Sequence, residues 1–154
     1  MKQNPKIVIL DEKDHLILGE LKKNGKLSSQ QLSKRTRLPI STIHNRIKRM
    51  EHSGIIKGYT VVLDEKRTGM IGAYILVMVN YHPSDGTTID QYELAKKIKQ
   101  IPCVVEVSMT TGTCDILIKV HSKNIEELNE FVTKHLRNFK GVNQTQTLVV
   151  LNSI

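Results

Sequence analysis

The chain has 154 residues, of which 39% are hydrophobic and 25% charged, so it can bury one medium-sized core or two small ones. Its longest apolar run, Met70–Val79, is too short to span a bilayer, and the four apolar residues Ile7–Leu10 are too few for a signal-peptide core. We therefore expect a cytoplasmic protein. Residues 1–60 hold 13 Lys and Arg against 5 Asp and Glu and carry the whole net charge of +8, whereas residues 61–154 hold 10 of each. Net charge alone is more typical of a solvated basic surface, but the asymmetry between the halves shifts the balance toward a polyanionic partner.

Three helices are predicted in the first 54 residues. Asp11 precedes the first helix, and Asn24–Gly25 ends it. Ser28 and Gln31 form a capping box at the start of a short second helix. The third helix follows Leu38–Pro39 and ends near residue 53. Three helices joined by such tight turns are typical of helical DNA-binding modules.

The remainder of the chain alternates between strand-like and helix-like segments. Residues 59–66 are predicted to form a linker strand between a domain at 1–58 and a second domain at 67–154. Strands are predicted at 70–79, 105–109, 116–120 and 142–151, and the two intervening helices at the capping pairs Thr88 with Gln91 and Asn124 with Glu127. The order β-α-β-β-α-β indicates a ferredoxin-like fold. The predicted fold class is therefore α+β: a three-helix, winged-helix-like helix-turn-helix domain followed by a ferredoxin-like domain.

The third helix offers the strongest candidate site. Ile40, Ile43, Ile47 and Met50 fall within about 80° of one another at 100° per residue, which predicts a buried stripe. Arg46 lies beside that stripe, where it serves packing or a phosphate. The opposite face is polar and basic, as a helix that contacts base edges and phosphates requires. The residues predicted to bind duplex DNA are Ser41, Thr42, His44, Asn45, Lys48, Arg49, Lys34 and Lys57. An ordinary amphipathic surface helix is the alternative, and the preceding capped helix and short turn argue against it.

A second candidate site is the turn formed by Thr111, Gly112, Thr113 and Asp115. Glycine permits a positive φ and a close backbone approach. The Asp115 carboxylate can hold an α-amino group while backbone N–H groups hold an α-carboxylate, so the turn is a candidate site for an amino-acid effector. The alternative is a plain β-turn in which Asp115 accepts from local N–H groups.

Neither a metal site nor a catalytic site is expected. The histidines show no metal-ligand spacing, and the two cysteines, Cys103 and Cys114, match no zinc pattern. No nucleophile-and-base motif or phosphate-binding glycine loop is present. We therefore predict a protein that is not an enzyme and that needs no cofactor.

Short motifs along nearly the whole chain resemble the Lrp/AsnC, or leucine-responsive, family of transcriptional regulators. These motifs are Leu10–Asp11 with Asp14, Ile17–Leu18, Asn24–Lys26, Leu32–Ser33, Arg46–Ile47 with Met50–Glu51, Gly54–Tyr59, Thr111–Asp115, and Gly141–Val142 with Thr145 and Thr147. The resemblance implies an N-terminal helix-turn-helix and a C-terminal regulatory domain, often called the RAM domain. It also implies dimers that assemble further, into tetramers or octamers, and frequently an amino-acid effector that binds around the 111–115 turn at contacts between dimers.

Three positions depart from the family pattern. Pro39 stands where the family usually begins its recognition helix with a serine, and Ser33 stands where a small alanine is common. Cys103 stands where the family often has a glycine, in a loop near the effector region. The alternative functions left open are an effector-independent architectural DNA-binding protein, an enzyme on the ferredoxin-like half and an RNA-binding protein.

Overall fold

The computed structural model describes residues 7–152, apart from the side chain of Lys66, and divides the chain into two units between Val62 and Leu63. The first unit contains helices α1 (Glu12–Lys23), α2 (Ser29–Thr36) and α3 (Ile40–His52). The second contains α4 (Glu65–Thr68), β1 (Ile71–Val79), α5 (Gln91–Lys99), β2 (Val104–Met109), β3 (Ile116–Ser122), α6 (Ile125–Glu130) and β4 (Val142–Val149). No helix in the described part of the chain is long and apolar enough to cross a membrane.

Local capping sets where the first two helices begin. Asp11 and Asp14 form a reciprocal capping box at α1, with the Asp14 N–H donating to Asp11 Oδ1 at 2.9 Å. The predicted capping box at α2 is confirmed, because the Gln31 N–H donates to Ser28 Oγ and the Ser28 N–H donates to Gln31 Oε1. The fully buried core of this unit draws one or two residues from each helix: Ile17, Leu32, Ile43 and Met50.

The turn between α2 and α3 is held by backbone and side-chain contacts. Arg37 ends α2 in the left-handed conformation, with φ at 57°. The hydroxyl of Ser33 donates to the carbonyl oxygen of Leu38 at 2.6 Å, so this departure from the family's alanine adds a hydrogen bond across the turn. Pro39 occupies the cap position, one residue before the helix, and provides no side-chain hydrogen bond there.

The predicted linker strand at 59–66 is wrong. Residues 57–64 form neither helix nor strand, and Val61–Leu63 are exposed and pair with no strand in the described chain. No strand follows α3 within residues 53–62. The short helix α4 replaces the end of the predicted strand because the Asp64 carboxylate accepts the Arg67 N–H and the Asp64 carbonyl accepts the Thr68 N–H. A segment of strand composition without a neighbouring strand forms no inter-strand hydrogen bonds, so its exposed backbone is left to solvent.

The second unit is a four-stranded antiparallel sheet in the order β2-β3-β1-β4, with α5 and α6 supplying the two helices of the predicted β-α-β-β-α-β pattern. In β1 and β3 every second side chain is buried on the helix-covered face. That face, with the helices, forms the core, which includes Ile75, Val77, Ile118 and Leu136. The ferredoxin-like prediction is therefore confirmed.

The other face of the sheet carries apolar side chains, and the short helix α4 reaches it at one end, where Glu65 contacts Gly72 and pairs with His121. Strand alternation puts Tyr74, Leu76 and Met78 of β1 on this face. The register pairs Leu76 with Leu117 of β3 and Tyr74 with Leu148 of β4. The polar residues on the same face are Lys119, opposite Tyr74, and Gln146 and Gln144, opposite Leu76 and Met78. Tyr74 is 38% exposed and Leu148 is 47% exposed. We call this surface the open sheet face.

Two details of this unit differ from the prediction. The cap of α5 is Asp90, whose carboxylate accepts the N–H groups of Tyr92 and Glu93, and not Thr88. The last helix stays regular only to Glu130 and continues as a π turn and a 3-10 turn to residue 138. Gly141 then precedes β4 with φ at 94°, and a Cβ there would lie 2.7 Å from the Ile89 side chain, so this position requires glycine.

Candidate nucleic-acid interface and ligand turn

The exposed face of α3 carries the predicted DNA-binding side chains on one short helix. Six of the predicted residues lie on α3. Thr42 is half-buried, and the other five are exposed: Ser41, His44, Asn45, Lys48 and Arg49. Lys34 on α2 and Lys57 beyond α3 are exposed as well. Ile43 and Met50 on the opposite face are fully buried against α1 and α2, which fixes the rotation of α3 about its own axis. The helix therefore presents hydroxyl, amide and cationic groups outward, a set able to contact base edges and phosphates.

Two arginines of α3 are held by carboxylates of α1. Arg46 donates from Nη1 to Asp14 Oδ1 at 2.8 Å and to both Asp11 carboxylate oxygens at 2.7 Å. Arg49 pairs with the other oxygen of Asp14, which is completely buried. Arg49 remains 50% exposed, whereas Arg46 is only 21% exposed. Arg46 therefore joins α1 to α3, and the exposed part of Arg49 keeps guanidinium donors that face solvent.

The charges in this cluster shift the pKa values of both carboxyl groups. The Arg46 guanidinium, helped by the Asp14 N–H, lowers the pKa of Asp11 to about 2. Burial alone would raise the pKa of Asp14, but the hydrogen bond within the capping box and the two guanidinium groups hold it below its ordinary value. Both carboxylates are therefore ionised at neutral pH. The sequence places Asp11 before the first helix and does not predict that Asp14 is buried.

Several other cations of the first unit have no carboxylate partner. The cations that do form ion pairs are Arg35 and Lys23, which pair with Glu20, and Arg46 and Arg49, which pair with Asp11 and Asp14. By contrast, Lys34, Lys48 and Lys57 form no ion pair with any residue that the structure describes. These three lysines lie on or beside the helix-turn-helix and retain their full charge for an external anion.

Ile40 departs from the predicted buried stripe. Its side chain is 47% exposed and lies outside the apolar cluster that holds Ile43, Ile47 and Met50. The residue is the first of α3, so the helix end projects past the core that covers the later residues. The exposed face of α3 therefore begins with an apolar side chain.

The predicted ligand turn connects β2 to β3. Gly112 has φ at 113°, and Thr111, Gly112 and Thr113 are exposed. Among the described residues, none accepts a hydrogen bond from the N–H groups of these three positions. The turn therefore exposes backbone donors next to one another, and two threonine hydroxyl groups flank them.

The Asp115 carboxylate is already bound within the subunit. Its Oδ2 accepts the Val79 N–H at 2.7 Å, and its Oδ1 accepts the Tyr81 hydroxyl at 2.8 Å. Burial and the nearby carboxylate raise the pKa of Tyr81, so this hydroxyl stays protonated and donating. The Asp115 carbonyl also accepts from the Gln91 amide at 2.6 Å. The carboxylate therefore joins β1 to the turn, and these distant partners could not be identified from the sequence.

Cys103 does not lie near this turn within the subunit. The His121 N–H donates to the Cys103 carbonyl, which puts Cys103 beside the last residues of β3. The turn precedes the first residue of β3, and seven residues of strand span about 20 Å. A cavity of about 470 Å³ lies at the Cys103 end, lined by Met70, His121, Phe131 and others. Burial raises the pKa of the Cys103 thiol, which keeps it protonated.

No three His, Cys, Asp or Glu side chains within the described residues come together in a group that could hold a metal.

Two family models match the two units. Residues 10–57 match the winged helix-turn-helix DNA-binding model, and residues 73–154 match the Lrp/AsnC ligand binding domain. An uncharacterised helix-turn-helix-type transcriptional regulator of Pyrococcus furiosus is 41% identical over 141 residues, which is 92% of each chain. The regulator FL11 of the same organism is 40% identical and is matched over 93% of this chain and 90% of its own length.

Solved structures agree with these matches. A transcriptional regulator of Neisseria meningitidis, solved as an L-Met complex, is 28% identical, with a TM-score of 0.77 over 95% of this chain and 92% of its own. AsnC of E. coli is 26% identical, with a TM-score of 0.72 over 95% of each chain. These relatives are DNA-binding regulators and not enzymes. The chain therefore belongs to the Lrp/AsnC family of helix-turn-helix transcriptional regulators.

Proposed function

We propose that this protein regulates transcription by binding selected duplex DNA sites through α3, under the control of a small effector. The observation that carries the proposal is the outward face of α3, where hydroxyl, imidazole and amide groups adjoin Lys48, which forms no ion pair among the described residues. Such groups discriminate base edges in the major groove, while cations bind phosphates. A cytoplasmic location follows from this function.

The residues divide into two roles. Ser41, Thr42, His44 and Asn45 lie in the first half of α3, the part of a recognition helix that approaches the bases. Lys48 with Arg49 extends this surface along the helix, and Arg49 contacts a base through its solvent-facing donors. The remaining cations, Lys34 and Lys57, neutralise flanking phosphates because they are exposed and unpaired.

The proposed active form is a dimer that assembles further through the second unit. The open sheet face holds the apolar side chains Tyr74, Leu76, Met78, Leu117 and Leu148 beside the polar Lys119, Gln144 and Gln146, and its apolar part needs a cover. A second copy of the same face satisfies this need by two-fold symmetry. Such a dimer presents two copies of α3 to a pseudo-palindromic site with half-sites about one helical turn, or a multiple of it, apart.

The proposed effector is an α-amino acid bound at the 111–115 turn. The free N–H groups around Gly112 suit an α-carboxylate. An ionised carboxylate has about four acceptor positions, so Asp115 retains capacity for an ammonium group beside its two internal donors. A neighbouring subunit has to complete the site, since the exposed turn alone cannot enclose a ligand. The methionine in the Neisseria structure makes methionine the first compound to test.

Footprinting on chromosomal DNA tests the proposal against its main alternative. A regulator protects discrete sites, whereas an effector-independent architectural protein coats DNA uniformly. Calorimetry with the twenty amino acids tests the effector separately. Binding of at least one amino acid at or below millimolar concentration supports an effector, and binding of none assigns Gly112 and Asp115 to the turn alone.

A further inference from the structure

The first residue of α3, the proposed recognition helix, is apolar and partly exposed to solvent. Ile40 is 47% exposed and belongs to no apolar cluster of the first unit, although Ile43, one turn later, is fully buried. Pro39 before it is exposed and provides no side-chain hydrogen bond. The end of α3 that approaches the bases therefore begins with two adjacent apolar residues, Pro39 and Ile40, ahead of its first polar side chain.

The position of Ile40 around the helix axis puts it between the buried and the exposed face of α3, about 20° from the half-buried Ile47. At 100° per residue, Ile40 lies about 40° from His44 and about 80° from Lys48. Both of those residues are exposed. Ile40 thus adjoins the predicted contact surface at its leading end, on the border with the buried face.

Only one group in the major groove matches an exposed aliphatic side chain. The thymine C5-methyl is the apolar group among the base edges there, and all other edges present hydrogen-bond donors and acceptors. We propose that Ile40 is a specificity-determining residue that contacts a thymine methyl group in each half-site. This inference rests on the proposed function, because it requires α3 to enter the major groove.

The test removes one methyl group at a time from the DNA. Each thymine of a selected site is replaced by deoxyuridine, and affinities for the full-length protein and for Ile40→Ala are measured at one salt concentration. We expect one thymine per half-site at which uracil weakens the wild-type protein about fourfold, the loss expected for one methyl-sized apolar group. The Ile40→Ala protein should show no loss there.

Leu16→Ala is the matched control, because Leu16 is an apolar residue of α1 that is 53% exposed. It should discriminate thymine from uracil as the wild-type protein does, and circular dichroism should show both variants folded. An equal uracil penalty in the wild-type and Ile40→Ala proteins at every thymine overturns the role of Ile40. So does a selective wild-type protein with no uracil penalty anywhere, or with no thymine in its site. A wild-type protein that binds all duplexes alike overturns both this inference and the proposed function.

Discussion

Arg46 of the recognition helix donates a 2.8 Å hydrogen bond to Asp14, a completely buried carboxylate on the first helix. Asp14 also pairs with Arg49, so one acidic side chain is bonded to two successive turns of α3. Apolar packing fixes which face of α3 is buried, and this cluster adds directional bonds that fix how α3 lies against α1. We therefore expect the stability of the first unit and the orientation of the proposed DNA-contacting face to depend on the same residue.

Removing this carboxylate should destabilise the first unit. Asp14→Ala leaves two guanidinium groups without their shared acceptor and should lower the free energy of unfolding by about 1.5–3 kcal/mol. The cost stays below the ~3–5 kcal/mol typical of fully buried pairs because both arginines reach solvent. Hydrogen exchange of α3 amides measures this loss of unfolding free energy. Lys23→Gln, which breaks the exposed pair with Glu20 in the same unit, is the control and should cost about 0.5 kcal/mol or less. Equal effects of the two variants would contradict the prediction.

Acid should weaken the first unit in a defined pH range. The pKa of Asp11 falls from 3.8 to about 2 on folding, mainly through Arg46. A carboxyl group whose folded pKa is lowered stabilises the fold above its unfolded pKa, and the stabilisation is lost as pH falls through the folded value. Amide protection in α1 and α3 should therefore be steady from pH 7 to about pH 5 and decline between about pH 4 and pH 2. Arg46→Gln should reduce that decline; an unchanged acid profile would show that the pair does not cause it.

Phosphate-binding lysines should affect all DNA alike. Lys57 is exposed and unpaired among the described residues. Lys57→Ala should weaken selected and random duplexes by similar factors and reduce the slope of log affinity against log salt by about one. Lys140, in the second unit, already pairs with Asp85, so Lys140→Ala is a control that should leave the slope unchanged. Loss of affinity for the selected duplex alone would assign Lys57 to base recognition instead.

Asp115 should prove structural as well as ligand-binding. Asp115→Ala leaves the Val79 N–H and the Tyr81 hydroxyl without their acceptor and should lower the free energy of unfolding of the second unit by about 1–3 kcal/mol. Tyr81→Phe removes only one of these bonds and should cost less. Calorimetry on Tyr81→Phe then tests whether the Asp115 carboxylate, which this variant keeps, still binds an amino acid. We expect that it does. An Asp115→Ala protein as stable as the wild type would show that these bonds contribute nothing.

Features set by short sequence segments were predictable from the sequence. The capping box of Ser28 and Gln31 involves four consecutive residues, and the alternation of strands and helices in the second half is equally local. Helix-capping preferences failed where two residues suited the same cap position. Thr88 and Asp90 both suit the start of α5, but it is the Asp90 side chain that accepts hydrogen bonds from the first-turn N–H groups. Residues 59–63 have strand composition but no strand beside them.

Contacts between distant segments could not be predicted from the sequence. Asp14 became a buried ion-pair partner because α1 packs beside α3, more than 30 residues away. The partners of Asp115 come from the end of β1, brought alongside β3 by the sheet register. Ile40 fits the helical period of the buried stripe, but periodicity does not show where the covering core ends.

The central claim is that the outward face of α3 selects DNA sequence, and Asn45 tests it most directly. Asn45 is exposed in the middle of that face, so Asn45→Ala should not alter the fold. The measurement is the ratio of affinities for a selected duplex and a random duplex at one salt concentration. We predict that Asn45→Ala loses about 1–3 kcal/mol on the selected duplex and much less on the random one, so the ratio falls. An unchanged ratio for Asn45→Ala would contradict the account.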